Sequence, residues 1–235
     1  MTSSSDARPA AVVTGAGSGI GRAIAIELGR RGHPLLLIGR RREALESALA
    51  ESGAEGVIAL ADVRDPDAIQ CAIQEAAANS LAPTIAIPAA GIARVAPFEK
   101  LGEEDIRESL ETNLGGALRL YRAVLPAARK GNGHLFAILS AAALRGFPSW
   151  VAYGASKWAL RGAFEALREE LRGSGVRMTS IYPGATATPL WNDVPGEWDR
   201  TRMIAPEEVA NAVLFALDSS AAVPEIHLQP TGGDL

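Results

Sequence analysis

Seven short apolar runs recur along the chain: AAVVT (10 to 14), PLLLIG (34 to 39), GVIAL (56 to 60), PTIAIP (83 to 88), HLFAIL (134 to 139), RMTSIY (177 to 182) and EIHLQ (225 to 229). Their length and β-branched content predict buried strands. Between them the apolar positions take a helical period. From Gly19 to Arg30, for example, Ile20, Ala23, Ile24 and Leu28 fall on one face. Longer helical segments are expected between Glu103 and Arg129 and between Trp150 and Arg172. Strands apolar on both faces and separated by helices require a parallel sheet covered on both sides. The pattern therefore predicts an α/β fold with a doubly wound, parallel seven-stranded sheet.

Composition narrows this picture. The 235 residues are 48% apolar, enough for one domain that buries roughly 70% of the surface its unfolded chain exposes. No linker, repeat or change of composition divides the chain, so a single domain is expected over 9–235, after a disordered Ser-rich tip at 1–8. Lys and Arg number 23 against 27 Asp and Glu, and no basic run could neutralise several phosphates, which argues against nucleic acid as a partner. The lone cysteine, Cys71, lies in a helical pattern and reads as an inert core thiol. The histidines His33, His134 and His227 lack metal-ligand spacing, and no metal is expected. With no apolar leader segment and no run long enough to span a bilayer, the expected location is the cytoplasm, away from membranes. One stretch, 189–205, has no period, carries Trp191 and Trp198, and reads as a substrate loop.

The first strand leads into Thr14-Gly15-Ala16-Gly17-Ser18-Gly19-Ile20-Gly21 and then a helix. Glycines let the backbone approach a pyrophosphate closely, and a helix N-terminus offers N–H groups and a positive dipole end, so a dinucleotide is implied. The spacing is T-G-x-x-x-G-x-G rather than G-x-G-x-x-G. Ser140 ends HLFAILS, Tyr153 follows thirteen residues later, Lys157 four after that, and Asn113 lies upstream in TNLGGAL. Asp62-Val63 follow the third run, and Pro183-Gly184 through Thr188 follow the sixth. In these motifs, from about residue 10 onward, the chain resembles the short-chain dehydrogenases/reductases, whose fold is of the Rossmann type. One motif departs: the family's usual N-N-A-G after the fourth strand reads Pro88-Ala89-Ala90-Gly91 here, which puts local bracing of the sheet in question more than cofactor binding.

The residues themselves suggest hydride chemistry. Carbonyl reduction needs a hydride donor, a proton donor and stabilisation of the developing charge. Tyr153 and Lys157, at i and i+4, share a helix face. A nearby ammonium is expected to lower the phenol's pKa, making Tyr153 the acid in reduction and the base in oxidation. Ser140, at a strand's C-terminal end, would hydrogen-bond the substrate oxygen. Asn113, followed by Gly115 and Gly116, is poor helix material within a helical segment, an inconsistency expected at functional sites. The resemblance implies that the distorted helix there holds a water linking Lys157 to solvent.

After the second strand, where NAD enzymes carry a carboxylate for the ribose 2′-OH, the chain reads Gly39-Arg40-Arg41-Arg42. Arg40 and Arg41 would clamp a 2′-phosphate, which favours NADP(H). With the resemblance, the cofactor-binding set is Gly15, Ser18, Gly19, Ile20, Arg40, Arg41, Asp62, Val63, Ala89, Ala90, Gly91, Tyr153, Lys157, Pro183, Gly184, Thr186 and Thr188. Phe147, Trp150, Leu190, Trp191, Trp198 and Met203 are candidates to line the substrate site, with Trp150, Trp191 and Trp198 foremost. They suggest an apolar or aromatic carbonyl or alcohol. Small residues in the helix from Trp150 (Ala152, Ala155, Ser156, Ala159 and Ala163) suggest close approach of another helix, and the family commonly pairs subunits there as homodimers or homotetramers. The leading expectation is an NADP(H)-dependent carbonyl reductase or alcohol dehydrogenase. An isomerase or dehydratase on the same scaffold, and a non-catalytic nucleotide-binding regulator, stay open.

Overall fold

Each apolar run forms a strand: β1 (Ala11–Thr14), β2 (Leu35–Gly39), β3 (Gly56–Leu60), β4 (Ile85–Pro88), β5 (His134–Ile138), β6 (Arg177–Pro183) and β7 (Glu225–Leu228). In this computed structural model the described residues are 8–233, so the tip expected at 1–8 lies, except for Arg8, outside them, as does the end of the chain at 234–235. All neighbouring strands pair in parallel, in the order β3-β2-β1-β4-β5-β6-β7. The helices are α1 (Gly19–Arg30), α2 (Arg42–Ser52), α3 (Pro66–Ala78), α4 (Glu103–Leu110), α5 (Gly116–Lys130), α6 (Val151–Glu170) and α7 (Pro206–Asp218).

Strand alternation divides the core in two. Val13, Leu37 and Phe136 meet Leu28 of α1, Leu45 of α2 and Val213 of α7, while Val12, Leu36 and Leu135 meet Ile73 of α3, Val124 of α5 and Phe164 of α6. The result is the single-domain, doubly wound α/β fold that the pattern predicts. Only the edge strands carry exposed residues: Val57 and Leu60 of β3, and Glu225 and His227 of β7. The chain runs outward from β1 to β3 and returns to β4 beside β1, so the strand order reverses between β1 and β4. A crevice opens there beyond the C-terminal strand ends.

Two expectations need correction. Cys71 is exposed, because the buried face of α3 is Ile69, Ala72, Ile73 and Ala76 and Cys71 points away from it. The small residues of α6 do not form one outward stripe. Ala152 and Ser156 are buried within the subunit, and Ala155 is exposed near Val151 and Trp158. The helical segment beginning at Glu103 is distorted where expected: two α-helices are joined by a π-helical turn, Glu111–Gly115, at Asn113 and the glycines that make regular helix weakest. Among the described residues, no helix is long and apolar enough to cross a membrane, and no group of three or more His, Cys, Asp or Glu is placed to hold a metal.

Candidate active site

The turn between β1 and α1 forms one wall of a groove of about 560 Å³ at the switch point. Gly15 has φ 67°, and a Cβ there would lie 2.7 Å from the Ala90 backbone, so only glycine lets the two loops touch. Gly19, with φ 53°, faces Thr188, where a Cβ would come within 3.1 Å. Ser18 caps α1 in extended conformation, and its side chain makes no capping bond. The first N–H groups of a helix have no intrahelical partner, so those of α1 are left for whatever enters the groove. Ala89, Ala90 and Gly91 form the opposite wall, and the Ala90 amide donates to Thr14 Oγ1 at 3.3 Å.

At the β2 end the groove is lined by Arg40 and Arg41, both exposed. Neither makes an ion pair or side-chain hydrogen bond among the described residues, whereas Arg42 reaches Glu46 at 3.5 Å. Asp62 and Val63 line the groove beyond β3. The Asp62 carboxylate is clamped by Arg64, whose Nε and Nη2 donate at 3.1 and 2.8 Å, and these bonds hold its pKa below the usual carboxylate value. Sequence reasoning missed Arg64, and also Arg94 and Glu108, which pair at 2.8 Å on the groove wall. The Arg64 position two residues past Asp62 was a readable signal. The Arg94–Glu108 pair joins a loop to α4 and left none.

Tyr153 and Lys157 project from one face of α6, as the spacing requires, and both are buried. Lys157 Nζ donates to Ile138 O at 2.8 Å and lies 5.7 Å from the centroid of the Tyr153 ring. Burial lowers the lysine's pKa to about 8. Ser140 follows β5, accepts from the Ala142 amide at 3.1 Å, and lines the pocket with Tyr153, its hydroxyl pulling the phenol's pKa down. The phenol's pKa is raised, contrary to expectation: burial dominates, and only Ser140 opposes it. The loss of hydration on burial outweighs the field of the ammonium, 5.7 Å from the ring centroid.

Asn113 stands apart from the other candidates and lines neither the groove nor the adjoining pocket. Its Oδ1 accepts from Ile92 N at 2.9 Å, and its Nδ2 donates to Ile92 O at 3.0 Å and Ser156 Oγ at 2.8 Å. The side chain thus ties the π turn to the loop after β4 and to α6. Both amide hydrogens of the side chain are engaged, and its oxygen accepts one bond.

The second cavity, about 150 Å³, opens beside Ser140 and Tyr153. Pro183, Gly184, Thr186 and Thr188 line one side, and Phe147, Trp150, Leu190, Trp191 and Trp198 the other. Met203, in the same irregular stretch, does not line it and is buried, 8% exposed. The irregular stretch contains two 3-10 turns, Pro189–Asp193 and Arg200–Arg202. Ile20, Leu139, Tyr153, Thr188 and Leu190 line both cavities, so Tyr153 stands at their junction.

The groove suits a dinucleotide: a glycine turn touching the opposite loop, a helix start without a side-chain cap, and two guanidiniums at one end. Comparison with known proteins agrees. The pattern of the short chain dehydrogenase family matches residues 9–197. Sepiapterin reductase of Chlorobaculum tepidum is 35% identical over 95% of this chain and 97% of its own length. Among solved structures, an alcohol dehydrogenase from the archaeon Thermococcus sibiricus complexed with 5-hydroxy-NADP superposes with a TM-score of 0.87, at 28% identity, over 95% of this chain and 97% of that one. A serine dehydrogenase from Escherichia coli has a TM-score of 0.80 at 30% identity, over 93% and 96%. The chain is an oxidoreductase of the short-chain dehydrogenases/reductases, a family that binds a nicotinamide cofactor.

Proposed function

We propose that the protein is an NADP(H)-dependent reductase or dehydrogenase that interconverts a carbonyl and an alcohol, the substrate being apolar or aromatic. The observation that carries this reading is the position of Tyr153 where the groove and the pocket meet, with Ser140 lining the pocket beside it. A nicotinamide bound in the groove would supply or accept the hydride. Gly15, Ser18, Gly19 and Ile20 would hold its pyrophosphate side, with Asp62, Val63, Ala89, Ala90 and Gly91 facing the adenosine and Lys157 the nearer ribose. Thr186 and Thr188, with Pro183 and Gly184, would border the nicotinamide end. The structure of the Thermococcus sibiricus alcohol dehydrogenase with an NADP derivative supports a phosphorylated cofactor here, as do the unengaged Arg40 and Arg41.

A phenol with a raised pKa is protonated at neutral pH, the state needed to donate to a developing alkoxide. Ser140 would orient the carbonyl oxygen and share its charge. Lys157, still largely protonated at pH 7, would stabilise the phenolate left behind. In the opposite direction the same oxygen accepts the alcohol's proton. Tyr153→Phe keeps the ring and removes that proton, so turnover should fall by about 10²- to 10⁴-fold while NADPH still binds. NADPH oxidation at the nicotinamide absorbance, together with a fluorescence titration, tests this. Turnover near that of the parent protein would remove Tyr153 from the chemistry.

We also propose a homodimer or homotetramer assembled through the outer face of α6, where Val151, Ala155 and Trp158 are exposed. Light scattering at micromolar concentration should give a multiple of 24.5 kDa; a monomeric mass would refute it.

A further inference from the structure

The pocket beside Tyr153 carries chemical information beyond its position. No charged side chain lines it. Two of its three indole donors are engaged within the protein: Trp191 Nε1 donates to Thr186 O at 2.9 Å and Trp198 Nε1 to Pro195 O at 3.2 Å. Thr186 likewise gives its hydroxyl hydrogen to Gly184 O. A carboxylate entering here would lose its hydration and meet no cation, and a set of hydroxyls would find only the Ser140, Tyr153 and Thr188 hydroxyls and the Trp150 indole in return. What the wall offers is aromatic surface. Trp150 meets Trp191 edge-on at 5.7 Å, Trp191 meets Trp198 at 4.8 Å, and Trp150 meets Tyr153 edge-on at 5.3 Å.

Size is equally restrictive. The free volume is about 150 Å³, and an apolar cavity of that volume accepts one benzene ring. Trp191 is the central element of the wall. It touches both other tryptophans and is pinned through its own N–H to the backbone after β6.

We propose that the substrates are neutral aldehydes and ketones bearing a single aromatic ring, and that Trp191 sets the upper limit on ring size. This rests on the reading that Tyr153 delivers a proton to a carbonyl. The ring enters among Trp150, Trp191 and Phe147, its carbonyl oxygen reaches Ser140 and Tyr153, and the reaction is the balanced two-electron reduction supplied by NADPH and one proton.

The test compares kcat/KM for acetophenone, 2-acetylnaphthalene, phenylglyoxylate and dihydroxyacetone with NADPH, in the parent protein and in Trp191→Ala and Trp191→Phe. Quenching of tryptophan fluorescence by acetophenone in the NADPH complex measures binding separately. The parent should favour acetophenone at least tenfold over the naphthyl ketone and at least a hundredfold over phenylglyoxylate and dihydroxyacetone. Trp191→Ala should bring the two neutral ketones level or invert their order, with Trp191→Phe between. If Trp191→Ala does not fold, the Phe variant must show a shift of severalfold in the same direction. A preference for the anionic, polyhydroxylated or two-ring compound, or a ring-size order indifferent to Trp191, overturns the inference while leaving carbonyl reduction intact. Saturable binding of acetophenone without reduction of any of the four overturns the proposed reaction and leaves the pocket's selectivity standing. Neither binding nor turnover overturns both.

Discussion

Replacing Asn113 with alanine removes three hydrogen bonds at once, two to the Ile92 peptide groups and one to Ser156 Oγ. Asn113 is only 2% exposed, so water has poor access to the groups left behind. Ile92 is half-buried, and Ser156 keeps a second bond, donating to Tyr153 O at 2.7 Å. At about 1 kcal/mol for each bond lost, with more for any group left dry, the loss of stability should be about 2–4 kcal/mol. For a chain of this size that is a fall in melting temperature of about 5–15 °C. Because the loop carrying Ala90 and Gly91 is the one released, NADPH affinity should fall too. Asn113→Asp is the sharper control. It retains an acceptor for Ile92 N but loses both donated bonds and buries a carboxylate beside Ile92 O, so it should be worse than alanine. Urea unfolding with the slope held in common gives the difference. An alanine variant within about 0.5 kcal/mol of the parent, or an aspartate variant more stable than alanine, would refute the bracing role.

Two other predictions follow from charge. NADPH should bind about ten- to a hundredfold more tightly than NADH at low salt, as expected for a charge-assisted bond to an exposed arginine. Gly39→Asp with Arg40→Ala should reverse the order, since an added Cβ at Gly39 meets only the movable end of Leu45 at 3.2 Å; equal binding of the two cofactors by the parent would show the arginines to be surface charge. His134 is buried on β5, with Nε2 2.8 Å from Thr179 Oγ1 and its pKa lowered to about 3 by burial. The unfolded chain takes up this proton near pH 6.5 and the folded chain refuses it, so the associated stability is complete above 6.5 and is lost as pH falls toward 3, by about 2 kcal/mol between pH 7 and 5. His134→Gln should flatten that part of the urea-midpoint profile, and an unchanged slope would refute the assignment.

The fold was legible because nearly every strand is buried on both faces and therefore written as a continuous apolar run, while the helices between carry a clear period. Boundaries shifted by a residue or two, as at β4, which begins at Ile85 rather than at Pro83. The error at Cys71 was avoidable: Ile69, Ala72, Ile73 and Ala76 already mark the apolar stripe of α3, and position 71 falls outside it. The raised pKa of Tyr153 was not avoidable. Helical spacing tells which side chains share a face, but hydration is a property of the whole packed site, and here burial outweighs the neighbouring lysine. For the same reason the chain order reveals Asn113 as an anomaly in a helix without revealing what its amide holds.

The replacement of the usual asparagine by Pro88 shows how the packed structure answers a question that the sequence only raises. Proline has no N–H to give to a ladder, and β4 pairs with β5 through only two residue positions, Ile85 with His134 and Ala86 with Leu135. The chain just beyond β4 would be weakly held by the sheet alone. It is held instead from two sides, by Thr14 Oγ1 accepting from Ala90 N and by Asn113 bonding both peptide groups of Ile92. One brace comes from the end of β1 and the other from the π turn, and between them lie Ala90 and Gly91, the residues that form the groove wall opposite Gly15. The wall is thus fixed by groups that flank it and leave its surface small and close to the backbone, which a cofactor approaching the Gly15 turn requires. On this reasoning Thr14→Val, which keeps the shape and removes only the acceptor, should weaken cofactor binding by severalfold with little change in the sheet, and it should add to the effect of Asn113→Ala by more than the sum of the two, because each brace limits the motion released by loss of the other.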